Sequence, residues 1–323
     1  MKKVVKFLIC LLIILVHVQF LFACNGGFTD EGVVYGRSAD GTYAEVVEYS
    51  GKAKKIQIKE SYKDLPVTKV CDEAFSGSDI TEIIIPETVI DIGVKTFYSC
   101  ASLKDVKMGN DVTQIGKSVF CYCTSLKKIT IGNKIEKIDD YAFYGCESLS
   151  MIELPDEITH IGAYAFFGCK SLSMLKVGDR LSYVGSDAFF GCTKLKYNCV
   201  ENINYIGSFS NPNYILVEPI SKKLSYAEVH KNTKIILGHA FSSCDNIERI
   251  VIPESVAYIG SYAFEECDKL TIYCETKSQP SAWSLNWNKF TQRQLDPFDS
   301  NPFGPGTSEQ GSKNFIPVVW GYV

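Results

Sequence analysis

The sequence predicts a repeat solenoid: coils stacked one on the next, with a parallel β-sheet on one face and short helical or 3-10 turns on the other. Three observations predict it. Phe97, Phe120, Phe143, Phe166 and Phe189 stand 23 residues apart. Three residues after each comes a cysteine (Cys100, Cys123, Cys146, Cys169, Cys192), and three after that a leucine (Leu103, Leu126, Leu149, Leu172, Leu195). The same frame returns at Phe241, Cys244 and Ile247, and again at Phe264, Cys267 and Leu270. A fixed period of this size marks stacked units, each burying its apolar face only against its neighbours. A chain of 323 residues built this way need not divide into two globular domains.

The first element is an export signal. Lys2, Lys3 and Lys6 precede an almost unbroken apolar run from Phe7 to Phe22, and the mature chain is expected to start at Cys24. The run is shorter than the roughly 20 apolar residues of a transmembrane helix. The whole chain carries a formal charge of −4, and without the three lysines ahead of Cys24 it is near −7. That balance excludes the basic stripe of a nucleic-acid binder. The expected order is a signal peptide at 1–23, an N-terminal segment with a β-hairpin cap at 24–52, and repeats over 53–274. A C-terminal cap over 275–323 follows, with a mobile loop at about 293–315.

Within each coil two segments separate. One reads L-x-x-I-x-I followed by Pro or Gly, as in Leu126, Ile129, Ile131 and Gly132, or Leu149, Ile152, Leu154 and Pro155. Alternate apolar residues make a short strand with one buried face, and the Pro or Gly ends it. The other reads I-x-x-I-G-x-x-A-F-x-x-C, as at 158–169, and returns the chain through the expected helical turn. This pattern resembles the BspA-type, or treponemal-type, leucine-rich repeats of bacterial surface proteins. The resemblance implies a right-handed leucine-rich-repeat superhelix. Ala39 to Tyr43 and Leu65 to Val70 resemble that family's N-terminal hairpin and first coil. The stretch from Ile272 through Trp283 and Trp287 to Pro317–Gly321 resembles its closing segment. Leu21-Phe22-Ala23-Cys24 resembles a bacterial lipobox, which implies a lipid-bearing Cys24 and a membrane-anchored surface protein, otherwise a secreted one.

The array is interrupted once. Phe189 to Phe241 is 52 residues, two periods plus six, and Ser208 to Val217 replaces the A-F-x-x-C turn. We read residues 203–223 as one modified coil with an extended loop. At the end, residues 293–315 are rich in Pro, Gly, Ser and Asn and lack apolar periodicity, so they read as a loop.

Thirteen cysteines in an exported chain first suggest disulfides. Equivalent residues of stacked coils point the same way, so their Cβ vectors do not converge as a bridge requires. Cys100, Cys123, Cys146, Cys169, Cys192, Cys244 and Cys267 are therefore expected as one buried structural ladder of small side chains. Cys199 and Cys274 fall on strand positions expected to face outward. Cys121-Tyr122-Cys123 lacks a second Cys/His pair at zinc spacing, so no metal is expected. His160, His230 and His239 adjoin no nucleophile motif, and no phosphate loop, Gly-x-Ser-x-Gly or His-Glu-x-x-His is present. The reading is not an enzyme, without cofactors.

Function then falls to the concave sheet face. The outward positions two and four after the first Leu are Asp105 and Lys107, Lys128 and Thr130, Met151 and Glu153, Met174 and Lys176, Tyr197 and Cys199, then Arg249 and Val251. The sequence predicts a protein-binding groove centred on Met151, Met174 and Tyr197, with adaptable apolar anchors between charges. The family resemblance implies adhesion, or contact with a host or bacterial protein partner. A glycan-binding module, or an enzyme sited at residues 208–223, are the alternatives.

Overall fold

The structure, a computed structural model, describes residues 29–30, 32–289 and 315–322 of the chain. The signal segment, Cys24 and most of the 293–315 loop lie outside the described residues.

The regular coils run from Lys55 to Lys176. Their first strands are Lys55–Gln57, Glu82–Ile84, Asp105–Lys107, Lys128–Thr130, Met151–Glu153 and Met174–Lys176. The first four pair in parallel with one another and the last two with each other, residue on equivalent residue: Asp105 with Lys128, Val106 with Ile129, Met151 with Met174. In each the middle residue is buried, because alternate side chains take opposite faces. A second column of two-residue strands, from Gln114–Ile115 to Tyr183–Val184, stacks the same way. Close coil spacing explains the Ile-Gly pair there. A Cβ on Gly185 would sit 2.3 Å from the Ala163 nitrogen of the coil before. At the N-terminal end Val33–Arg37 and Ala44–Tyr49 form an antiparallel hairpin. Its second strand lies on Leu65–Val70 and so covers the first coil's open edge.

The turn face departs from expectation: among the described residues no helical or 3-10 segment forms there. Two left-handed residues bracket each Phe, such as Tyr141 (φ 59°) and Gly145 (φ 70°) around Phe143, or Lys95 (φ 56°) and Ser99 (φ 55°) around Phe97. With such residues every fourth position, consecutive i→i−3 bonds cannot build up. Alternate N–H groups instead cross to the next coil. Lys95, Phe97 and Ser99 donate to the carbonyls of Lys117, Val119 and Cys121 at 3.0, 2.9 and 2.8 Å. The residues between them close single turns, as Tyr98 N–H to Lys95 O (2.9 Å). Local spacing looked helical, while the bonding runs between coils.

Inside, the Phe rings form one stacked column from Phe75 to Phe189, with centroids 5.1–5.8 Å apart. The cysteine side chains line a parallel column and bond backward. The thiols of Cys100, Cys123, Cys146, Cys169 and Cys192 each donate to the Phe carbonyl of the preceding coil, at 3.0–3.2 Å. Cys267 does the same to Phe241 O. All seven ladder cysteines are buried and none is bridged. Burial raises the Cys146 thiol far above the ordinary range, so it stays protonated and donating.

The array breaks after Cys192. Asn198–Val200 turns back antiparallel to Ile203–Ile206, which pairs antiparallel with Ile215–Pro219. Stacking resumes when Ile215 and Leu216 pair in parallel with Ile235 and Ile236. The core divides here into two clusters of buried side chains. The last strands are Tyr226–Glu228, Arg249–Ile252, Thr271–Cys274 and Val318–Trp320, all parallel. Val318–Trp320 covers the final coil, and Trp320 meets the buried Trp283 and Trp287 at centroid distances of 6.0 and 6.3 Å. Cys274 faces inward, against expectation, because its strand alternates from buried Ile272 through half-exposed Tyr273.

Candidate functional site

The concave face is built by register. Asp105, Lys128, Met151 and Met174 form one row across the strands, and Lys107, Thr130, Glu153 and Lys176 the next. All are exposed except Asp105, which is half-buried. Met151 and Met174 are 47% and 50% exposed, high for side chains of that size.

Of the other residues expected on this stripe, Tyr197 and Cys199 lie off the parallel sheet, Arg249 is engaged, and Val251 is buried at 8% exposure, in a strand whose last three residues are all buried. Tyr197 is half-buried and precedes the short antiparallel strand Asn198–Val200, so it never joins the sheet. It packs against the first core cluster and lines a cavity with the turn-face residues Ala188, Phe189 and Phe190. Burial, then the nearby Glu218 carboxylate, pushes its hydroxyl up to about 12. The reason lies at Asn198. A polar residue stands where other coils bury Ile or Leu, so the segment cannot take the inward strand position, and its amide pairs with Asn213 instead. Arg249 is engaged by the C-terminal cap. Its guanidinium carbon lies 4.7 Å from the Tyr273 ring centroid and 4.9 Å from that of Tyr322, and it donates to the Tyr322 hydroxyl. Of the paired position Cys199, the sulfur-bearing side chain is exposed, but on the antiparallel strand.

A residue not foreseen takes the place expected for Tyr197. Phe209, 53% exposed, projects from the inserted loop over the concave face. It forms a wall of two depressions. One, of about 390 Å³, holds Met174, Lys176, Lys196 and Asn198; the other, of about 610 Å³, holds Lys128, Thr130, Met151 and Glu153. Phe209 therefore stands beside both methionines. Its loop is pinned at several points. Ser208 bridges in parallel to Val177, and Ser208 N–H donates to Asn211 O at 2.8 Å. The Tyr214 hydroxyl reaches Asp179 O (2.7 Å) and Leu181 O (2.9 Å) on the coil before. The Ser208 hydroxyl, with Ser210, holds the Asp179 carboxyl below its usual value, so that anion also anchors the loop.

The site has anchors and charges. Three large apolar side chains meet at one place, with Lys128, Lys176 and Lys196 on the rim and Glu153 among them. Such a patch suits macromolecular contact, where apolar anchors carry affinity and the polar rim sets register. Among the described residues no cluster of three or more His, Cys, Asp or Glu has a metal-binding arrangement. No described helix is long and apolar enough to cross a membrane.

The sequence pattern of BspA type leucine rich repeat regions matches this chain in six copies, over residues 68–196, 113–218 and 219–280. No curated protein matches it. Among solved structures, a leucine rich cell surface protein from Faecalibacterium prausnitzii A2-165 is similar at 25% identity and TM-score 0.49, over 80% of this chain and 77% of that one. A leucine-rich repeat protein from Bacteroides ovatus is 23% identical (TM-score 0.49; 76% and 70% covered). The leucine rich repeat protein of T. pallidum is 22% identical (TM-score 0.44; 76% and 91% covered).

Proposed function

Since the chain belongs to the BspA-type leucine-rich repeat family, we propose that it is an exported scaffold that holds a partner protein on its concave face. The observation that carries this reading is the cluster of half-exposed Met151 and Met174, on paired strands, with Phe209 on the pinned loop beside them and lysines around. Methionine adapts its shape to a partner, and an aromatic anchor beside it supplies most of the buried area. The N-terminal Lys2, Lys3, Lys6 and apolar run support export, and the sequence at Leu21–Cys24 supports attachment through a lipid on Cys24. Adhesion, to host or neighbouring bacterial cells, is the role we assign to such a surface scaffold.

The test pairs an array with a variant. Protein starting at residue 24 is probed against matrix-protein and glycan arrays, beside Met151→Ser/Met174→Ser/Phe209→Ser. The triple variant should lose at least tenfold in affinity for a protein bound by the parent, with its melting temperature unchanged. Equal binding by the two proteins, or binding confined to glycans, refutes the reading.

A further inference from the structure

The interruption that sends Phe209 over the sheet also leaves a vacancy on the opposite face. In the regular array each turn donates alternate N–H groups to the next. Tyr164, Phe166 and Gly168 donate to Ser186, Ala188 and Phe190 at 2.9, 2.8 and 2.8 Å. Past the break, His239, Phe241 and Ser243 donate to Ser261, Ala263 and Glu265 at 3.2, 2.7 and 2.8 Å. Between these lies the coil of Ile215 and Leu216. Its chain should turn after Leu216; instead it continues as strand Ile215–Pro219 against Ile203–Ile206. One turn is missing from the stack.

The bonds it would have made are open. Among the described residues the N–H groups of Asp187, Phe189 and Gly191 have no backbone acceptor, and the carbonyls of Gly238, Ala240 and Ser242 have no backbone donor. The one reach across is Lys222 Nζ to Ala240 O, at 3.5 Å. Both walls line the same cavity, of about 660 Å³, whose floor includes Tyr197, Val217 and Leu237. Two coil steps of about 4.8 Å put the walls about 10 Å apart, the room one peptide backbone needs. The outer aromatic ribbon of Tyr144, Phe167 and Phe190 ends at this opening, which leaves Phe190 64% exposed. Cys244 has no Phe carbonyl before it, since the coil before it holds no turn.

We propose that this slot takes a short segment of a partner protein as the missing rung. The segment's carbonyls accept from Asp187, Phe189 and Gly191, and its N–H groups donate to Gly238, Ala240 and Ser242. This is peptide recognition by backbone addition, in which main-chain bonds give affinity and side chains give selectivity. Two features define the segment. The turns before the slot place Gly145, Gly168 and Gly191 at a left-handed position, while the turn after it uses His239 and Ser243 there, so a Gly in the inserted rung matches the preceding turns and carries no steric cost. Glu265 is paired with His239 at 3.3 Å, and of the remaining charges around the cavity Asp187 and Glu218 outnumber Lys222, so a lysine or arginine is favoured on the segment. The Tyr197 floor calls for small side chains facing inward.

The probe is a fluorescein-labelled peptide of residues 164–170 with Phe166→Ala, Phe167→Ala and Cys169→Ser, which keeps Gly168 and Lys170. It should bind the parent protein saturably by fluorescence polarisation, with a dissociation constant on the order of 1 mM or below. N-methylation at positions 166 and 168 should weaken it at least tenfold. Ser242→Phe, at a position where other coils carry Tyr144, Phe167 and Phe190, should fill the opening and block binding without lowering the melting temperature. In the free protein the Phe189 and Gly191 amides should exchange hydrogen much faster than those of Phe166 and Gly168. Absence of binding, or binding indifferent to N-methylation or to Ser242→Phe, overturns the proposal. So does slow exchange at Phe189 in the free monomer, which would show the slot filled by its own chain. Self-association that the peptide disrupts would assign the slot to a second copy and overturn it equally.

Discussion

Phe143 sits between Phe120 at 5.3 Å and Phe166 at 5.1 Å, fully buried. Replacing it with Ala removes a ring held on both sides, in a stack whose backbone spacing is fixed by bonds from Gly145 and Phe143 to the next coil. The cavity cannot collapse, so the loss should be about 3–5 kcal/mol. Phe189 has one ring neighbour, at 5.8 Å, and faces the open cavity on its other side. Its replacement forfeits one aromatic contact rather than two, worth about 0.5–1.5 kcal/mol, and enlarges a space that already exists. Phe189→Ala should therefore cost about 1 kcal/mol less than Phe143→Ala. The assay is urea unfolding followed by far-ultraviolet circular dichroism. Trp283, Trp287 and Trp320 are the chain's three tryptophans, and all lie in or against the second core cluster, so fluorescence reads that half alone. Phe143→Ala should shift the dichroism transition more than the fluorescence transition, because repeat stability passes only between neighbours. A Phe189→Ala cost equal to or above that of Phe143→Ala would refute the argument that stacking on both sides sets the difference.

Two further predictions concern titrating groups. All eleven described cysteines are free, but only Cys199 is exposed; half-exposed Cys71 is held protonated, its thiol pushed up to about 12 by burial and the Glu45 carboxylate. Among these eleven, native protein should therefore label quickly at Cys199 alone with a thiol reagent at pH 8, while denatured protein labels at all of them; a second fast site among the eleven would contradict this. Tyr197, raised to about 12 by burial, binds its proton more tightly folded than unfolded, so its contribution to stability is complete below pH 10 and is lost as pH rises through 12. Tyr197→Phe should flatten the decline in melting temperature between pH 10 and 12; an unchanged slope would show that other groups set it.

Much of the fold was legible because one side chain repeats its environment exactly one coil later. Phe spacing fixed the register that pairs Asp105 with Lys128 and Met151 with Met174. The turn was misread for a physical reason. A Phe and a Cys three residues apart suit a helical turn, and the left-handed backbone at Tyr141 or Ser99 leaves no mark in residue type when non-glycine residues occupy it. The placement of Tyr197 was readable in principle: Asn198 stands where the regular coils carry Ile, Leu or Val, so that strand had lost the central residue of its apolar face. Arg249 was not readable, since its partner Tyr322 follows 73 residues later through the closing segment. Nor was Phe209. Its direction depends on Tyr214 clasping the carbonyls of Asp179 and Leu181, a contact between coils that periodicity does not encode.

The interruption is where the candidate chemistry gathers, and solenoid physics gives the reason. In a regular turn alternate N–H groups are used by the next coil and the residues between them close single turns, so these turns leave few backbone bonds to spare for a ligand. An irregular coil alters only its two neighbours, and the rest of the stack keeps its stability. The excursion through Ile203–Ile206 and Ile215–Pro219 spends that freedom twice. Toward the sheet it raises Phe209 beside Met151 and Met174; toward the turns it withdraws one rung and opens paired rows of donors and acceptors. An insertion tolerated merely for being harmless would loop into solvent and leave both neighbouring turns bonded. This one is held down by Tyr214, Asp179 and Asn211 and leaves the turns unbonded, so its geometry fits recognition on two faces better than it fits a spacer.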